Sequence, residues 1–255
     1  MRRFTISADR CDGAQVRFDR EESHHLARVL RLKPGDRVVA VDGSGRDYTV
    51  RLDTVTAEST GTIVGVATRE TESPFAITLV QGMPKGDKLE AVIRAATELG
   101  VARIVPVMTD RTVVKLDRAR AATRLERWQR VAREATKQCG RSRVPVIDAP
   151  CALDAIVAAP AEPGALRLCF WEEARAPLGL TLDARTSPAS ASVIVGPEGG
   201  LTSEEAATAE RAGWHVVGFG PRVLRTETAG PAIVSALQSR YGDLITWGDR
   251  DGPPM

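Results

Sequence analysis

Two glycine-rich turns near the C-terminus carry the residue types best suited to binding a small molecule. The first is Val195-Gly196-Pro197-Glu198-Gly199-Gly200-Leu201, and the second runs from Gly218 to Ala229 as Gly-Phe-Gly-Pro-Arg-Val-Leu-Arg-Thr-Glu-Thr-Ala. Each turn follows an apolar, strand-like segment and precedes a helix-like one. Glycines in such a position leave backbone N–H and C=O groups open to a ligand, so the turns predict a pocket for a nucleotide-like molecule.

The charges around the first turn argue against a phosphate ligand. Glu198 lies in the turn, and Glu204 and Glu205 open the next helix, where Thr202 and Glu205 form a predicted capping box. These carboxylates would repel an anion from a helix N-terminus. The chain also lacks the Gly-Lys-Ser/Thr of a P-loop, and the turn does not fit Gly-x-Gly-x-x-Gly. A neutral or cationic nucleoside-like ligand is therefore favoured, and a nucleotidase or dehydrogenase is disfavoured.

The second turn adds side chains that are suited to catalysis. Leu224 offers an apolar wall, and Arg225 and Glu227 are expected beside the ligand, where a reacting base would meet them. A purely structural role also fits these residues, with the glycines forming tight turns and Arg225 pairing with Glu227 at the surface. Two such turns at successive strand ends favour the functional interpretation.

The elements that must position these turns change in kind along the chain. The first 70 residues show short strand patterns, turn signals and one helix over 21–30, which together predict a small β-barrel. From residue 76 onward, predicted strands alternate with helices, which indicates a parallel α/β sheet. The expected division is a barrel over 1–70, a linker over 71–75, an α/β domain over 76–247 and a disordered tail over 248–255.

The net charge of +2 conceals a basic segment. Residues 110–145 contain 11 lysines and arginines but four acidic residues, so this segment carries +7 and the rest of the chain −5. A basic band on a mildly acidic protein predicts a polyanionic partner such as a nucleic acid. A solvated helix face explains the same pattern without a partner.

Cysteine spacing and hydropathy restrict the class of protein. Cys11, Cys139, Cys151 and Cys169 are scattered, with no Cys-x-x-Cys pair. We therefore expect no metal site and a reducing, cytoplasmic location. The N-terminus has no signal-like apolar stretch, and no apolar run approaches the roughly 20 residues that span a bilayer, so a membrane protein is not expected.

Taken together, these motifs resemble the RsmE family of SPOUT-class methyltransferases over nearly the whole chain. The C-terminal turns carry most of the resemblance, and further matching segments occur in both predicted domains. These further segments are Lys88-Leu89-Glu90, Thr97-Glu98-Leu99-Gly100, Trp128 through Glu134-Ala135 to Gln138 and Arg141, His25-Leu26, Val29-Leu30-Arg31 and Gly35-Asp36. Members of this family methylate N3 of a uridine in 16S ribosomal RNA of the small subunit.

The resemblance implies a fold and a cofactor. The fold is a SPOUT-type parallel α/β sheet with a C-terminal trefoil knot, preceded by a small PUA-like RNA-binding β-barrel, and the family acts as a homodimer. The implied cofactor is S-adenosylmethionine, held by loops that follow Trp171, Val195 and Phe219. The implied cofactor-binding residues are Trp171, Glu172, Val195, Gly196, Pro197, Gly199, Gly200, Phe219, Gly220, Val223, Leu224, Thr228 and Ala229.

Methylation at uridine N3 requires that the N3 proton leaves. Glu227 or Glu198 is the expected proton acceptor, and Arg225 is expected to stabilise negative charge that develops on O2 or O4. Because N3 lies on the Watson–Crick edge, the uridine must be unpaired or flipped out. The residues expected to contact RNA phosphates are Arg2, Arg3, Arg10, Arg17, Arg28, Arg31, Lys85, Arg133, Lys137, Arg141 and Arg143.

Two alternatives remain open at the level of the sequence. One is a SPOUT methyltransferase that acts on another RNA site, such as a ribose hydroxyl. The other is a non-catalytic RNA-binding or ribosome-assembly factor with a degenerate pocket. A 2′-O-methyl product instead of N3-methyluridine would identify the first alternative. The absence of S-adenosylmethionine binding would identify the second.

Overall fold

The computed structural model describes residues 2–68, 71–113, 118–183 and 188–245. Contacts within the chain divide it into two compact units, one formed by 1–72 with 133–144 and the other by 73–132 with 145–255. Residues 133–144 thus join the first unit, whereas the sequence-based division placed them in the α/β domain. Helical periodicity shows that a helix continues, but it does not show which unit its end packs with. The predicted tail over 248–255 lies outside the described residues.

The described residues of the first unit form six strands. They are β1 (Arg3–Thr5), β2 (Cys11–Asp12), β3 (Gln15–Arg17), β4 (Arg37–Val41), β5 (Arg46–Thr54) and β6 (Thr60–Thr68). They form one sheet in the order β1-β4-β5-β6-β3-β2. The pair β1 and β4 is parallel, and the other neighbours are antiparallel. The sequence predicted this strand-rich unit and its helix, although not the short hairpin strand β2.

The core of the first unit follows the period of two that strands impose on side chains. Phe4, Val38 and Leu52 come from three different strands and are fully or almost fully buried together. Helix α1 (Arg20–His24) begins after Asp19, whose carboxylate accepts the Glu22 N–H at 2.8 Å, and it continues as a wide π-helical turn over His25–Val29. This turn places Leu26 in the same apolar cluster.

The second unit is an α/β unit in which the part of the chain that the structure describes forms seven strands. These strands are β7 (Ala76–Gly82), β8 (Arg103–Met108), β9 (Val146–Ile147), β10 (Cys151–Ala152), β11 (Ala165–Phe170), β12 (Ser190–Val195) and β13 (His215–Val217). The main order is β10-β8-β7-β12-β11-β13, and β9 also pairs with β8. All of these pairs are parallel, which confirms the predicted parallel sheet.

The helices of the second unit fill the connections between these parallel strands, as such strands require. They are α2 (Lys88–Glu98), α3 (Arg118–Cys139, whose end belongs to the first unit), α4 (Leu153–Val157), α5 (Leu178–Asp183), α6 (Ser203–Arg211) and α7 (Thr226–Tyr241). The short elements β10, α4 and α5 were not predicted, because a few residues are too short to show a period. None of the described helices combines the length and apolar composition that a bilayer crossing demands.

Helix α7 returns from β13 to pack on α2, β7 and β12. Its last turn is anchored by Gln238, which is fully buried. The Gln238 side-chain NH₂ donates to the carbonyls of Phe75 at 3.3 Å and Gly100 at 3.1 Å, and its oxygen accepts the Ser73 hydroxyl at 2.6 Å. The C-terminal helix is therefore tied to the segment that precedes β7 and to the turn that follows the end of α2. The trefoil knot stays a prediction.

Candidate active site

A cavity of about 410 Å³ lies where β11, β12 and β13 end. Its walls are the loop after Phe170, the first glycine turn after Val195 and the second glycine turn from Gly218. Strand β11 lies between β12 and β13, so the two glycine turns flank the end of β11 rather than following neighbouring strands. Crevices beyond the carboxyl ends of parallel strands are the usual ligand sites of α/β sheets.

Close backbone packing shapes the first glycine turn. The Gly200 N–H donates to the Pro197 carbonyl at 2.9 Å, and Gly200 has a φ of +70°, a conformation that favours glycine. A Cβ atom on Gly200 would overlap the carboxylate of Glu172. A Cβ atom on Gly82 would lie 2.5 Å from the Pro197 nitrogen. The turn is thus packed against the loop after β11 and against the end of β7.

The predicted capping box fixes the exit from the first turn into α6. The Thr202 hydroxyl accepts the Glu205 N–H at 3.2 Å, and the Glu205 carboxylate accepts the Thr202 N–H at 2.7 Å. The same carboxylate also accepts the Asp110 N–H at 2.9 Å. The capping box is therefore confirmed, and Glu205 in addition connects α6 to the loop that follows β8.

The second glycine turn is held by the segment that precedes α5. The Gly218 N–H donates to the Ala176 carbonyl at 2.9 Å, and the Leu178 N–H donates to the Gly218 carbonyl at 3.3 Å. The Phe219 ring meets the Phe170 ring edge-on, with centroids 5.9 Å apart. Val223 also lines the cavity although it is 81% exposed, so the turn presents an apolar side chain to solvent beside the cavity.

Three charged side chains from different elements meet at the cavity wall. The Lys88 Nζ atom lies 2.9 Å from Oε1 of Glu198 and 3.6 Å from Oε2 of Glu227. Lys88 begins α2, Glu198 lies in the first glycine turn and Glu227 lies in the first turn of α7. One ammonium group therefore lies close to two carboxylates and offsets part of their negative charge.

The two carboxylates differ in their hydrogen bonds. Partial burial alone would raise the pKa of Glu198, but hydrogen bonds from Lys88 and from the backbone N–H groups of Glu198 itself and Lys85 hold this pKa below its usual value. The Lys85 N–H donates to the Glu198 oxygens at 3.1 and 3.3 Å. By contrast, Oε2 of Glu227 is buried and has no hydrogen-bond donor among the described residues. The hydrogen bond to Glu198 also raises the pKa of Lys88.

Arginine side chains complete the charged part of the cavity. Arg222 and Arg225 both line it, and both are exposed. Arg225 is the N-cap residue of α7, where its carbonyl accepts the N–H groups of Thr228 and Ala229, each at 2.8 Å. Its side chain makes no capping hydrogen bond, so the backbone fixes the position of Arg225 while the guanidinium remains available to a ligand.

The structure brings most of the predicted site residues together. The three predicted catalytic residues, Arg225, Glu227 and Glu198, all line the cavity. Of the predicted cofactor-binding residues, those that line it are Trp171, Glu172, Val195, Gly196, Pro197, Gly200, Phe219, Gly220, Val223, Leu224 and Ala229.

Two of the predicted cofactor-binding residues, Gly199 and Thr228, do not line the cavity. The Gly199 carbonyl accepts the Arg111 guanidinium at 2.8 Å, and both residues are exposed. Thr228 is exposed on α7, where the direction of each side chain is set by the helical period. Motif membership placed both residues in the right loops but did not show which way each residue faces.

Several lining residues were not predicted from the sequence. They are Lys88, Phe170, Ala174, Arg222, Thr226 and Ile233. Helical spacing contained a signal for Ile233, because it follows Ala229 by four residues on α7 and so shares its face. Lys88 carried no such signal, since it lies on a helix that is remote in sequence from both glycine turns.

The cations predicted to contact RNA fall into two groups. Arg2, Arg17, Arg28, Arg31, Lys85 and Arg143 are exposed, and Arg10 and Arg133 are half-buried. Arg3, Lys137 and Arg141 instead form ion pairs at 2.7, 2.5 and 2.5 Å with Asp47, Glu22 and Glu72. The side chains of these last three cations are only 8–11% exposed, so their charges face carboxylates of the first unit rather than solvent.

Comparison with known proteins gives a consistent result for both units. Residues 71–238 match the model of an RNA methyltransferase domain, and residues 18–57 match that of an RNA methyltransferase PUA domain. The chain is 34% identical over 238 residues to a protein of Synechocystis sp. called ribosomal RNA small subunit methyltransferase E. The match covers 93% of this chain and 77% of that relative.

Two solved structures are similar over almost the whole chain. A ribosomal RNA small subunit methyltransferase E from Neisseria gonorrhoeae, bound to S-adenosyl methionine, is 32% identical with a TM-score of 0.86, covering 96% of this chain and 99% of its own. A putative methyltransferase from Legionella pneumophila, in complex with the cofactor SAM, is 32% identical with a TM-score of 0.87. The match covers 95% of this chain and 98% of that protein. The predicted fold class, a SPOUT-type α/β domain after a PUA-like domain, is confirmed. The chain belongs to the RsmE family of ribosomal RNA small subunit methyltransferases.

Proposed function

We propose that this protein transfers a methyl group from S-adenosylmethionine to N3 of a uridine in the 16S ribosomal RNA of the small subunit. The observation that carries the proposal is the cavity formed by the two glycine turns, which belongs to the unit that matches the RNA methyltransferase domain. Relatives that are 32% identical over nearly the whole chain hold S-adenosylmethionine.

The cavity suits this cofactor by size and by charge. Its volume of about 410 Å³ lies within the usual range for small-molecule sites. The carboxylates of Glu172, Glu198 and Glu227 line it together with Lys88, Arg222 and Arg225. The formal charges therefore balance, so the wall has no net positive charge to select a phosphate and has carboxylates for a cationic group. Exposed backbone groups of the glycine turns supply hydrogen-bonding partners for an uncharged base. When bound, S-adenosylmethionine supplies an electrophilic methyl group on a positively charged sulfur.

The residues of the chain then have distinct tasks in the proposed reaction. Glu227 accepts the N3 proton, because it lines the cavity and its Oε2 atom accepts no hydrogen bond from the described residues, the Lys88 ammonium lying 3.6 Å away. Glu198 is a weaker base, because its oxygens already accept hydrogen bonds and its pKa is lowered. Arg225 stabilises negative charge on O2 or O4 of the uracil through its exposed guanidinium.

Capture of the RNA falls to exposed cations of both units. Arg17, Arg28 and Arg31 in the first unit and Lys85 in the second are exposed and suited to phosphate contacts. Such contacts position the RNA without reading its sequence, so the choice of uridine depends on RNA shape and on entry of the base into the cavity. Flipping the base out costs a few kcal/mol, roughly the stacking and pairing that are lost.

The remaining expectations belong to the same proposal. We infer that the protein acts in the cytoplasm as a homodimer, that it uses no metal and that α7 closes a trefoil knot. We further infer that residues 71–75 form the linker between the two domains. The return of α7 to β7 and β12 supports the knot, and the resemblance to the family supports the dimer.

One experiment tests the proposed reaction directly. The protein is incubated with labelled S-adenosylmethionine and small ribosomal subunits from a strain that lacks the modification, and the label is mapped by mass spectrometry. N3-methyluridine at one position supports the proposal. A 2′-O-methyl product identifies a different methyltransferase, and the absence of both transfer and calorimetric binding of S-adenosylmethionine identifies a non-catalytic RNA-binding factor.

A further inference from the structure

A single buried side chain at the end of β7 connects the two glycine turns. Gln81 is 0% exposed, and its side-chain NH₂ donates to the Thr226 hydroxyl oxygen at 3.0 Å and to the Gly196 carbonyl at 3.4 Å. The Thr226 hydroxyl in turn donates to the same Gly196 carbonyl at 2.9 Å. The three groups form a closed set of hydrogen bonds between the first turn, the start of α7 and the central sheet.

The other end of the Gln81 amide is unusual. Its Oε1 atom is buried and has no hydrogen-bond donor among the described residues. It lies against Gly230 of α7, where a Cβ atom would be 2.8 Å away. Rotating the amide by half a turn would point Oε1 at the carbonyls of Gly82 and Gly196, which are acceptors as well. The orientation is therefore set by the carbonyl acceptors that face the NH₂ group, and Oε1 has no hydrogen-bond donor among the described residues.

An unpartnered buried acceptor lowers stability, so its presence calls for a reason other than stability. Gln238, on α7, provides the contrast. Its amide is equally buried, and both of its ends are hydrogen-bonded, to Ser73, Phe75 and Gly100. Gln238 does not line the cavity, whereas Gly196 and Thr226, the partners of Gln81, both do.

We propose that Gln81 and Thr226 are positioning residues, which hold the first glycine turn and the start of α7 at the spacing that S-adenosylmethionine binding and transfer require. This inference rests on the proposed function. The Gln81 side chain does not line the cavity, so it acts through the Gly196 carbonyl and the Thr226 hydroxyl. Its effect reaches Glu198 and Glu227 because each lies one or two residues from a group that Gln81 contacts.

The test compares Gln81→Leu and Thr226→Val with Thr226→Ser and Gln238→Leu. Each of the first two removes hydrogen bonds of the closed set. Thr226→Ser keeps the hydroxyl, and Gln238→Leu removes a buried amide of α7 away from the cavity. The full chain of each variant is measured for thermal midpoint, for S-adenosylmethionine affinity by calorimetry, and for kcat and KM on small subunits.

Gln81→Leu and Thr226→Val are expected to weaken cofactor affinity at least about tenfold and to lower kcat at saturating cofactor. The double variant is expected to lose no more cofactor affinity than the single variant with the larger loss, because both changes break the same set of hydrogen bonds. Thr226→Ser should stay within about twofold of the unmodified protein. Gln238→Leu should lower the thermal midpoint and leave the affinity unchanged.

Two results would overturn the positioning role. One is unchanged cofactor affinity in both Gln81→Leu and Thr226→Val, and the other is an equal loss of affinity in Gln238→Leu, which would mark a general effect of destabilising α7. If the unmodified protein itself gives no heat with S-adenosylmethionine, the proposed function fails instead. The two failures are thus distinguished by the first titration.

Discussion

The ammonium group of Lys88 lies 2.9 Å from a carboxylate oxygen of Glu198, although the two residues are far apart in the chain. This contact joins the first residue of α2 to the glycine turn after β12. Parallel strand order makes it possible, because β7 and β12 are parallel neighbours, so that α2 and the glycine turn follow the same edge of the sheet. The charge on Glu198 is therefore controlled by a residue that no motif of the glycine turn contains.

Replacing Lys88 with methionine is expected to raise the pKa of Glu198 towards its usual 4.5, because the largest opposing hydrogen bond is lost. A carboxyl with a lowered pKa adds stability above its unfolded pKa, and this stability is lost as pH falls through the folded value. The difference in unfolding free energy between the protein and its Lys88→Met variant should therefore shrink below pH 4.5. Carboxyl NMR and unfolding at several pH values measure both effects.

Lys85→Met is the matched control for that change. It removes one positive charge nearby but keeps the backbone N–H that donates to Glu198. The pKa of Glu198 should move less in this variant than in Lys88→Met. Equal shifts in the two variants would mean that overall charge, rather than the direct contact, lowers the pKa.

Local signals in the sequence predicted much of the fold and of the cavity. The apolar run that becomes β12, the glycine turn and the Thr202–Glu205 capping box lie next to one another in the chain, so short-range rules suffice for them. The sheet order is a long-range property, and the insertion of β11 between β12 and β13 could not be obtained from those rules.

Polar side chains were harder to predict than apolar ones. The sequence of a basic helix does not distinguish a lysine that contacts phosphate from one that pairs with a buried carboxylate. For this reason the sequence predicts an RNA contact for Lys137, which the structure pairs with Glu22. Gln81 ends a buried strand and gave no signal, because its partners, Gly196 and Thr226, are more than a hundred residues away. Such pairings follow from the tertiary structure alone.

Glu227→Gln should lower kcat more than Glu198→Gln does. If Glu227 accepts the N3 proton, the Glu227→Gln variant loses general base catalysis, which typically contributes about 10²- to 10⁴-fold to the rate. Glu198 is already hydrogen-bonded by Lys85 and Lys88, so its amide should mainly weaken the loop. Single-turnover transfer to small subunits at saturating cofactor measures the difference. A larger loss in Glu198→Gln would assign the proton to Glu198 instead.

Arg225→Ala is expected to reduce kcat by about 10²- to 10³-fold with cofactor affinity little changed, as when one donor to a developing oxyanion is lost. The backbone of Arg225 caps α7 and its side chain does not, so the helix should persist. Calorimetry with S-adenosylmethionine and the transfer rate are measured on the same sample. Unchanged methylation of saturating RNA with intact cofactor binding would exclude this role.

Gly200→Ala should weaken cofactor binding through Glu172. The new Cβ would overlap the Glu172 carboxylate, which lines the cavity and would have to move. Gly213→Ala is the control, because Gly213 also has a positive φ, of +84°, but has open space around its Cβ position. Both variants should lose about 1–2 kcal/mol of stability from the left-handed backbone. Equal cofactor affinities in the two would contradict the predicted contact.

Lys137→Met should destabilise the protein, whereas Arg143→Ala should weaken RNA binding. Lys137 is paired with Glu22, which is 3% exposed. Removing the cation leaves a buried carboxylate whose remaining hydrogen bonds among the described residues come from Thr5, at a cost of about 3 kcal/mol. Arg143 is exposed, so its loss should reduce the slope of log affinity against log salt by about 1 with little change in stability. Denaturant unfolding and RNA binding at several salt concentrations measure both variants. If Lys137→Met left the denaturation midpoint unchanged and reduced the slope of log RNA affinity against log salt, Lys137 would be a phosphate contact instead.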